Sequence, residues 1–424
     1  MYKAPRGTRD FLPDEMRDRR YVEACLRRVF EDYGYREIVT PTFETLELIT
    51  AKSGEEIKEH LYHFKDKSGR NLALRPELTA PVMRLYVNKL QFEAKPLKLY
   101  YFGNCFRYER PQSGRYREFW QAGVELIGSP YPEAEAEVIV LAADALDRLG
   151  LKNYELAIGS IGTLRAVLEE SGLKGEDQNP IMSAIDKGEG LQELLDQKNV
   201  GERERRILMG MLELRGDKDT VISSAEDLLD DSPKALKELE NLKTLLGFLE
   251  EYGVDSYSYV LDLGIARGLD YYTGVVFEIY APRLGAEKQV CGGGTYSLAE
   301  VFGGKPVATC GFAFGFDRLV LALKKERNSI APSASRGCLV VPMGEGMLST
   351  AIKASRYLRK NNLCELELGR RRLRKALSYA DRRGFRYVAI VGESEVERGC
   401  VVIRDMESGE QREVEIEKLK ELKL

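Results

Sequence analysis

Two runs of alternating residues on either side of a turn constrain the fold of this chain more than any other feature. Their sequences are LKLYYFGNCFRYE at 97–109 and REFWQAGVELIG at 117–128. The stretch PQSG at 111–114 between them is typical of a turn, because proline presets φ and glycine tolerates a chain reversal. The pattern therefore predicts a β-hairpin within an antiparallel sheet.

The two faces of the second run differ in chemistry, because strand residues two apart share a face. One face is apolar and suits a core: Trp120, Ala122, Val124 and Leu126. The other face combines a cation, a ring, an amide, a gap and a carboxylate: Arg117, Phe119, Gln121, Gly123 and Glu125. Across the turn, Arg107 and Glu109 extend this polar face onto the first run.

Four arginines crowd around the turn: Arg107, Arg110, Arg115 and Arg117. Like charges at this density repel one another, so they either extend into water or surround an anion. The guanidinium group of arginine binds phosphate oxygens with two parallel hydrogen bonds, and a ring such as Phe119 can stack on a base. This face therefore predicts a nucleoside polyphosphate site. The alternative is a solvated sheet face. No GxxxxGK[ST] and no GxGxxG opening a helix is present, so neither a P-loop nor a Rossmann domain is supported.

Two further segments carry polar groups that fit a ligand site. In LRPELTA, residues 74–80, Arg75, Glu77 and Thr79 alternate onto one face of an extended strand, although a surface strand end explains the pattern about as well. In ARGLDYYTGVVFE, residues 266–278, charged and phenolic side chains precede a strand: Arg267, Asp270, Tyr271 and Tyr272.

Two glycine-rich segments predict open strand faces. CGGGTY at 291–296 either lets a backbone approach a ligand closely or forms a bulged strand. In GFAFGFDRL at 311–319, small residues alternate with phenylalanines, so one face is bare while the other packs in a core, and Arg318 follows at the start of a helix. A bare face next to an arginine suits a flat ligand with an anionic tail.

The chain is long enough for two or three domains, with 424 residues. Residues 1–326 have the pattern of an α+β domain on an antiparallel sheet, with a helical insertion at about 164–250 that is periodic at 3.6 residues. The stretch RNSIAPSASR at 327–336 is typical of a linker. Residues 337–424 alternate strands and helices, which predicts a small α/β domain with a mostly parallel sheet.

Composition and charge narrow the class of protein. Hydrophobic residues make up 43% and charged residues 31%, which is typical of a globular protein. No apolar run reaches 18 residues, and the start lacks the apolar centre of a signal peptide. We therefore expect a cytoplasmic protein outside the membrane. Seven cysteines without C-x-x-C spacing and two histidines argue against zinc. From Arg336 onwards there are 19 Lys and Arg against 14 Asp and Glu, whereas the remainder carries 45 against 54. This basic tail predicts contact with a polyanion, unless the clustering is chance.

These segments, in this order, resemble the class II aminoacyl-tRNA synthetases. FRYERPQSGRYREFWQ is similar to their motif 2, GFAFGFDRL to their motif 3, and the segment around Pro41 to their motif 1. RGLDYYTGVVFE resembles a motif peculiar to the histidyl-tRNA synthetases, and RGTRDFLPDE, LRPELTA and GFRYVAIVGESEVERG also match that family. The resemblance covers essentially the whole chain. It implies the class II fold with a C-terminal anticodon-binding domain, and ligation of L-histidine to tRNA(His) by a cytoplasmic homodimer that uses ATP with Mg²⁺ and no zinc.

The resemblance also implies roles for individual side chains. Arg107 and Arg267 are the expected catalytic cations, each in contact with both substrates, and Pro41 is expected at the dimer interface. The other expected ATP-binding residues are Glu109, Arg115, Arg117, Phe119 and Arg318, with Phe119 and Arg318 on the two sides of the adenine. The other expected histidine-binding residues are Glu77, Thr79 and Gln121 at the amino group, and Glu125, Tyr271 and Tyr272 around the imidazole.

One segment departs from the family pattern, because Thr295 and Ser297 flank Tyr296 where many members have Arg and Asp. In the tail, a helix beginning near Arg370 is a candidate surface for the anticodon stem, although a solvated helix face is nearly as consistent. Its basic residues are Arg371, Arg372, Arg374 and Lys375.

Two other functions fit part of the sequence. A regulatory paralogue, such as the synthetase-like subunit of ATP phosphoribosyltransferase, resembles the body but lacks the anticodon domain and usually loses some motif arginines. A tRNA-sensing module without adenylation activity would tolerate the same losses. This chain keeps Arg107, Arg267 and Arg318 and has the basic tail, so we expect an active enzyme.

Overall fold

The computed structural model describes residues 2–53, 55–254, 258–265, 272–327, 329–332 and 337–424. These residues divide into two compact units, Met1–Ala331 and Pro332–Leu424. Each unit has its own buried apolar core. The segment that contains Arg267, Asp270 and Tyr271 lies outside the described residues. In the described part of the chain, no helix has both the length and the apolar character needed to cross a membrane.

The first unit is built on a sheet in which nine described strands follow the order β1-β5-β6-β12-β11-β10-β7-β9-β8. The strands of this large sheet are β1 Arg36–Glu37, β5 Leu97–Phe106, β6 Glu118–Ile127, β7 Glu155–Ser160, β8 Arg215–Gly216, β9 Tyr259–Asp262, β10 Tyr272–Tyr280, β11 Gln289–Tyr296 and β12 Thr309–Gly315. A separate small sheet contains β2 Phe43–Thr45, β3 His63–Lys65 and β4 Asn71–Leu74, in the order β2-β4-β3. All neighbours in the large sheet are antiparallel except β1 with β5 and β7 with β9. The predicted antiparallel α+β fold is therefore confirmed.

Helices cover this sheet and fill the region predicted as an insertion. They are α1 Pro13–Asp32, α2 Leu46–Ser53, α3 Thr79–Leu85, α4 Pro132–Leu149, α5 Ile161–Glu170, α6 Asn179–Lys187, α7 Leu191–Gln197, α8 Glu202–Glu213, α9 Lys218–Leu229, α10 Pro233–Glu251 and α11 Phe316–Glu326. The helix α1 begins with a proline, whose missing N–H costs nothing at the first position, and has acidic residues in its first turn. Phe30 of α1 packs against Phe312 of β12 with ring centroids 6.0 Å apart, so α1 covers the apolar face of the sheet.

The second unit is a five-stranded sheet in the order β14-β13-β15-β16-β17 with helices on both faces. Its elements are β13 Cys338–Pro342, α12 Leu348–Leu358, β14 Cys364–Leu366, α13 Leu373–Arg383, β15 Tyr387–Val391, α14 Glu393–Glu397, β16 Cys400–Asp405 and β17 Gln411–Glu415. Alternate residues of β13 belong to different cores: Val340 packs with residues of α12, and Val341 packs with residues of α13. The period of two therefore places these helices on opposite faces.

The prediction of a mostly parallel tail sheet is only partly correct. The strands β14, β13 and β15 are parallel, but β16 and β17 are antiparallel to their neighbours. The connection from β15 to β16 has eight residues, 392–399. A parallel crossover needs a dozen or more residues, so this connection is too short for one.

The predicted start of the tail helix near Arg370 is also wrong, since α13 begins at Leu373. Arg370 has φ +48°, which a helix does not accommodate. The buried carboxylate of Glu367 accepts the backbone N–H of Gly369 at 2.9 Å and that of Arg371 at 3.0 Å. These bonds hold residues 369–371 in a loop rather than a helical turn.

Candidate active site

Two cavities open on the same face of the large sheet, over β6, β11 and β12. The larger has a volume of about 150 Å³, and Arg115, Phe119 and Arg318 are among the residues that line it. The smaller has a volume of about 90 Å³, and Glu77, Glu125 and Tyr272 are among the residues that line it. Four residues line both cavities: Arg107, Gln121, Gly292 and Ala313. Ligands in the two cavities would therefore meet at Arg107 and Gln121.

The floor of both cavities is formed by small residues on adjacent strands. Ala313 of β12 pairs with Gly292 of β11, and both residues line both cavities. Gly315 also lines the larger cavity, and Gly311 also lines the smaller one. On the same strand Phe312 and Phe314 are buried in the core, as the alternation in GFAFGF predicts. A flat ligand can therefore lie directly on the main chain of the sheet.

The arginines around the larger cavity are held by specific contacts. Arg107 donates from Nε to the carbonyl of Pro76 at 3.0 Å, and its guanidinium carbon lies 5.2 Å from the centroid of the Phe119 ring. Arg318 donates to the carbonyls of Gly114 at 2.9 Å and Gln289 at 3.1 Å. These contacts hold two cations and a ring around one space, an arrangement that suits a base joined to phosphates.

The other arginines of the turn lie differently. Arg115 lines the larger cavity and pairs with Glu109, with Nε 2.8 Å from Oε2. Arg117 lines neither of the two cavities, because its guanidinium carbon lies 4.2 Å from the centroid of the Tyr108 ring and its Nε donates to the carbonyl of Glu109 at 3.2 Å. Arg110 also lines neither cavity and is exposed. The crowded cations are thus divided between the cavity and the surface.

The turn itself lies one residue later than predicted. Arg115 donates its N–H to the carbonyl of Gln112 at 2.9 Å, and Gly114 has φ +80°. These are features of a type II turn over 112–115, which requires a positive φ at its third residue. The strands end at Phe106 and resume at Glu118, so the arginines lie in the connection between them.

The smaller cavity contains a buried carboxyl group. Glu125 is 1% exposed and accepts the hydroxyl of Tyr296 at 2.6 Å and that of Tyr101 at 3.2 Å. Burial raises the pKa of Glu125 to about 8, even though hydrogen bonds from the two tyrosines lower it. A carboxyl group that is neutral below this pH offers one donor and one acceptor, which suits a polar ring with the same needs.

The LRPELTA segment does not form the predicted strand face. The strand β4 ends at Leu74, and α3 begins at Thr79. Arg75 instead points into the interior and donates to the carbonyls of Thr40 and Asn104, both at 2.8 Å. Glu77 accepts the N–H of Thr79 at 2.6 Å, which places its carboxylate at the start of α3. Glu77 and Thr79 nevertheless both line the smaller cavity.

Two tyrosines of this site have no role in the sequence analysis. Tyr296 lines the smaller cavity even though the residues beside it depart from the family pattern. Tyr101 is opposite Gly123 in the hairpin, and a side-chain carbon at Gly123 would lie 2.5 Å from the Tyr101 hydroxyl. The space beside Gly123 is therefore filled by Tyr101. Only the register of the two strands could have identified Tyr101 as the residue that fills it.

Most of the predicted site residues line one of these cavities. Arg107, Glu109, Arg115, Phe119, Gln121 and Arg318 line the larger one. Glu77, Thr79, Arg107, Gln121, Glu125 and Tyr272 line the smaller one. Arg117 lines neither, and Arg267 and Tyr271 lie outside the described residues.

The acidic residues of the larger cavity already have basic partners. Glu109 pairs with Arg115, and Asp317 lies 2.6 Å from both Arg9 and Arg19. Among the described residues, no group of three or more His, Cys, Asp or Glu side chains could hold a metal ion. The acidic side chains that line the larger cavity are thus paired with arginines rather than grouped with one another.

A largely antiparallel sheet with arginines around a cavity on one face, together with a separate α/β unit, is the architecture of the class II aminoacyl-tRNA synthetases. The family model described as histidyl-tRNA synthetase matches residues 7–319, and the one described as an anticodon binding domain matches residues 337–422. The chain belongs to the histidyl-tRNA synthetase family.

Individual relatives agree with this assignment. The chain is 47% identical over 428 residues to the histidine–tRNA ligase of Methanocaldococcus jannaschii, covering 99% of each chain. The apo histidyl-tRNA synthetase of S. aureus has a similar structure, with a TM-score of 0.71 and 29% identity over 99% of each chain. A Bacillus halodurans structure titled ATP phosphoribosyltransferase regulatory subunit/histidyl-tRNA synthetase has a TM-score of 0.78 and 30% identity, covering 92% of this chain and 98% of that one.

Proposed function

We propose that this chain is a histidine–tRNA ligase that forms histidyl-adenylate from L-histidine and ATP and then transfers the histidyl group to the 3′ end of tRNA(His). The observation that carries this proposal is the junction of two cavities at Arg107 and Gln121. One cavity suits a nucleotide and the other a small polar ring. The reaction requires a carboxylate from one to meet a phosphate from the other.

In the first step a histidine carboxylate oxygen forms a bond to the α-phosphorus, and the bond from that phosphorus to pyrophosphate breaks. No protein nucleophile is needed, because the substrate supplies it. Negative charge grows on the phosphate oxygens, and a guanidinium already fixed by the Pro76 carbonyl, as in Arg107, stabilises that charge without reorganising. We assign Arg267 the same role on the basis of the family resemblance. The ribose hydroxyl at the tRNA 3′ end then attacks the histidyl carbonyl and releases AMP.

In the larger cavity we assign the adenine to the space between Phe119 and Arg318, and the outer phosphates to Arg115. On the family resemblance we also assign Arg117 to the outer phosphates; it lines neither cavity, so its guanidinium would have to leave the Tyr108 ring to reach them. Magnesium would enter as the Mg²⁺ complex of ATP, since Glu109 and Asp317 are paired with arginines.

In the smaller cavity we assign the amino group to Glu77, Thr79 and Gln121, and the imidazole to Glu125 and Tyr272. We assign Tyr271 to the imidazole on the basis of the family resemblance alone. A neutral imidazole has one donor and one acceptor. An apolar side chain of similar size would offer no acceptor for the proton of the neutral Glu125 carboxyl, and sites of this kind discriminate by roughly 10⁴–10⁵. A separate editing domain is then unnecessary.

We also propose a cytoplasmic homodimer with the Pro41 segment at its interface. Val39 and Phe43 beside Pro41 are 80% and 51% exposed, and Phe64 of β3, in the same small sheet as Phe43, packs against Phe43 with ring centroids 6.5 Å apart. An exposed apolar group of this kind is typical of a protein contact. Sedimentation equilibrium of the purified chain tests the dimer, and a monomer at all concentrations would refute it.

The regulatory alternative is less well supported. The M. jannaschii histidine–tRNA ligase is similar over nearly the full chain, including the anticodon-binding part. Arg107 and Arg318 also remain around one cavity. Loss of either would have favoured a protein that no longer handles ATP.

Histidine-dependent exchange of pyrophosphate into ATP is the deciding assay. We expect exchange with histidine and none with the other amino acids, followed by histidylation of tRNA(His) when tRNA is added. Catalytically inactive protein that still binds tRNA would favour the tRNA-sensing module. Absence of both activities would favour a regulatory subunit.

A further inference from the structure

The segment before α1 lies along the connection between β5 and β6. We call residues 5–11 the N-terminal strap. It begins with a turn in which Thr8 donates its N–H to the carbonyl of Pro5 at 3.1 Å and Gly7 has φ +86°. These are features of a type II turn, whose third residue is usually glycine. The carbonyl of Gly7 then accepts the N–H of Arg117 at 2.9 Å.

A second residue of the N-terminal strap contacts two residues that line the larger cavity. The guanidinium carbon of Arg9 lies 3.3 Å from the centroid of the Tyr116 ring. Its NH2 group donates to Oδ1 of Asp317 at 2.6 Å. Tyr116 and Asp317 both line the larger cavity, whereas Arg9 does not. Arg9 therefore reaches this cavity only through its neighbours.

Asp317 joins the N-terminal strap to the elements that carry the site. It lies at the start of α11 and is 6% exposed. Besides Arg9 it accepts Arg19 of α1 at 2.6 Å and the backbone N–H of Trp120 in β6 at 2.7 Å. Trp120 lies between Phe119 and Gln121, so this one carboxylate connects α1, α11 and the strand that lines both cavities.

We propose that the N-terminal strap is a positioning element for ATP. Gly7 and Arg9 are its positioning residues, and they hold the connection between β5 and β6, residues 107–117, in the conformation that binds ATP. This proposal rests on the proposed function, because it takes the larger cavity as the nucleotide site. Residues 107–117 lie outside the strands, so little of the sheet ladder holds them. The N-terminal strap supplies that support from one side, and Arg318 supplies it from the other through the carbonyl of Gly114.

The first variant is Arg9→Gln. Asp317 keeps Arg19 at 2.6 Å, so its buried carboxylate stays paired and the fold is retained. We expect the KM for ATP in pyrophosphate exchange to rise about tenfold, the size of effect that follows from losing one charge-assisted hydrogen bond. The KM for histidine should stay within about twofold, because Arg9 touches no residue of the smaller cavity.

The second variant is Gly7→Ala, which changes no residue lining the cavities. A side-chain carbon there would lie 2.6 Å from Cγ of Arg117 and 2.8 Å from its Cδ, so the stem of that arginine must move. The matched control is Gly34→Ala, with φ +81° and no atom within 4 Å of the added carbon. Both variants strain the backbone alike, but only Gly7→Ala is expected to raise the KM for ATP.

The KM values for ATP and for histidine of each variant decide the proposal. The thermal midpoint of unfolding shows whether each variant is folded. Equal changes in the KM for ATP and for histidine, or a change in Gly34→Ala as large as in Gly7→Ala, would show that the N-terminal strap supports the fold alone. Unchanged kinetics in both strap variants would also overturn the proposal. Failure of the proposed function is a different result, because the wild-type chain would then show no histidine-dependent exchange.

Discussion

At the scale of single residues, the carboxyl of Glu125 has an unusual environment. It lies on a strand in the interior, and its neighbours there are two tyrosine hydroxyls rather than a basic side chain. Burial raises its pKa to about 8. In the proposed function this carboxyl is the partner of the histidine ring, which an apolar residue could not replace.

This pKa predicts a pH-dependent stability. In the unfolded chain the carboxyl titrates near its ordinary value of 4.5, whereas in the folded chain it titrates near 8. Between these two values the folded state binds more protons, so the free energy of unfolding falls as the pH rises from about 4.5 to about 8. We expect Glu125→Gln to flatten this fall, as measured by urea unfolding at a series of pH values.

The control for this measurement is the same change at the exposed Glu421. It should leave the pH dependence as in the wild type. A residual slope is expected in Glu125→Gln, because burial also raises the pKa of Glu135, to about 7. Parallel curves for Glu125→Gln and the wild type would contradict the assignment of a neutral buried acid.

At the scale of elements, two helices in the region predicted as an insertion differ in the free space around a glycine. Gly247 lies within α10, and a side-chain carbon there would have no atom within 4 Å. Gly210 lies within α8, where the same carbon would be 2.7 Å from Cδ2 of Leu228 in α9. One glycine is therefore exchangeable, and the other is part of a close helix contact.

We predict that Gly247→Ala stabilises the protein by about 0.5–1 kcal/mol, the usual gain from alanine in a helix interior. Gly210→Ala should gain less or lose stability, because Leu228 must shift to make room. The midpoint of urea denaturation measures both. An equal gain in the two variants would mean that α8 and α9 are not packed as closely as described.

Elements were easier to predict from the sequence than the contacts between them. The periods of two and 3.6 residues are local, so the hairpin, β12 with α11 and the tail alternation follow directly from the pattern. The strand face assigned to LRPELTA is wrong because Arg75 finds buried carbonyl partners from distant parts of the chain. Tyr101 was missed for a related reason: its place opposite Gly123 depends on the register of two strands.

At the scale of the whole molecule, the two units differ in charge as well as in architecture. The part before residue 336 is acidic and contains the proposed active site, whereas the part from Arg336 onwards is basic. Arg374 and Lys375 are exposed at the start of α13. Adenylate formation and tRNA binding should therefore respond to different substitutions.

We predict that Lys375→Glu weakens the binding of tRNA(His) and lowers the slope of log K against log salt by about 0.7–0.9, the amount for one phosphate contact. Histidine-dependent pyrophosphate exchange without tRNA should stay unchanged. The control is Lys423→Glu, the same charge change at an exposed position outside α13. Equal losses in both variants would indicate a general field effect rather than a surface on this helix.

The bare floor over β11 and β12 has a consequence for drug resistance. An inhibitor on this floor would lie on Gly292, Gly311 and Ala313. Together these residues have a single side-chain methyl group, so a mutation has almost no contact with the inhibitor to remove. Escape there can only add atoms, and at Gly311 an added carbon would lie within 3 Å of the Glu125 carboxylate carbon and closer still to its oxygen. A competitor confined to the space that we assign to histidine would thus leave no escape at these positions that spares the proposed substrate.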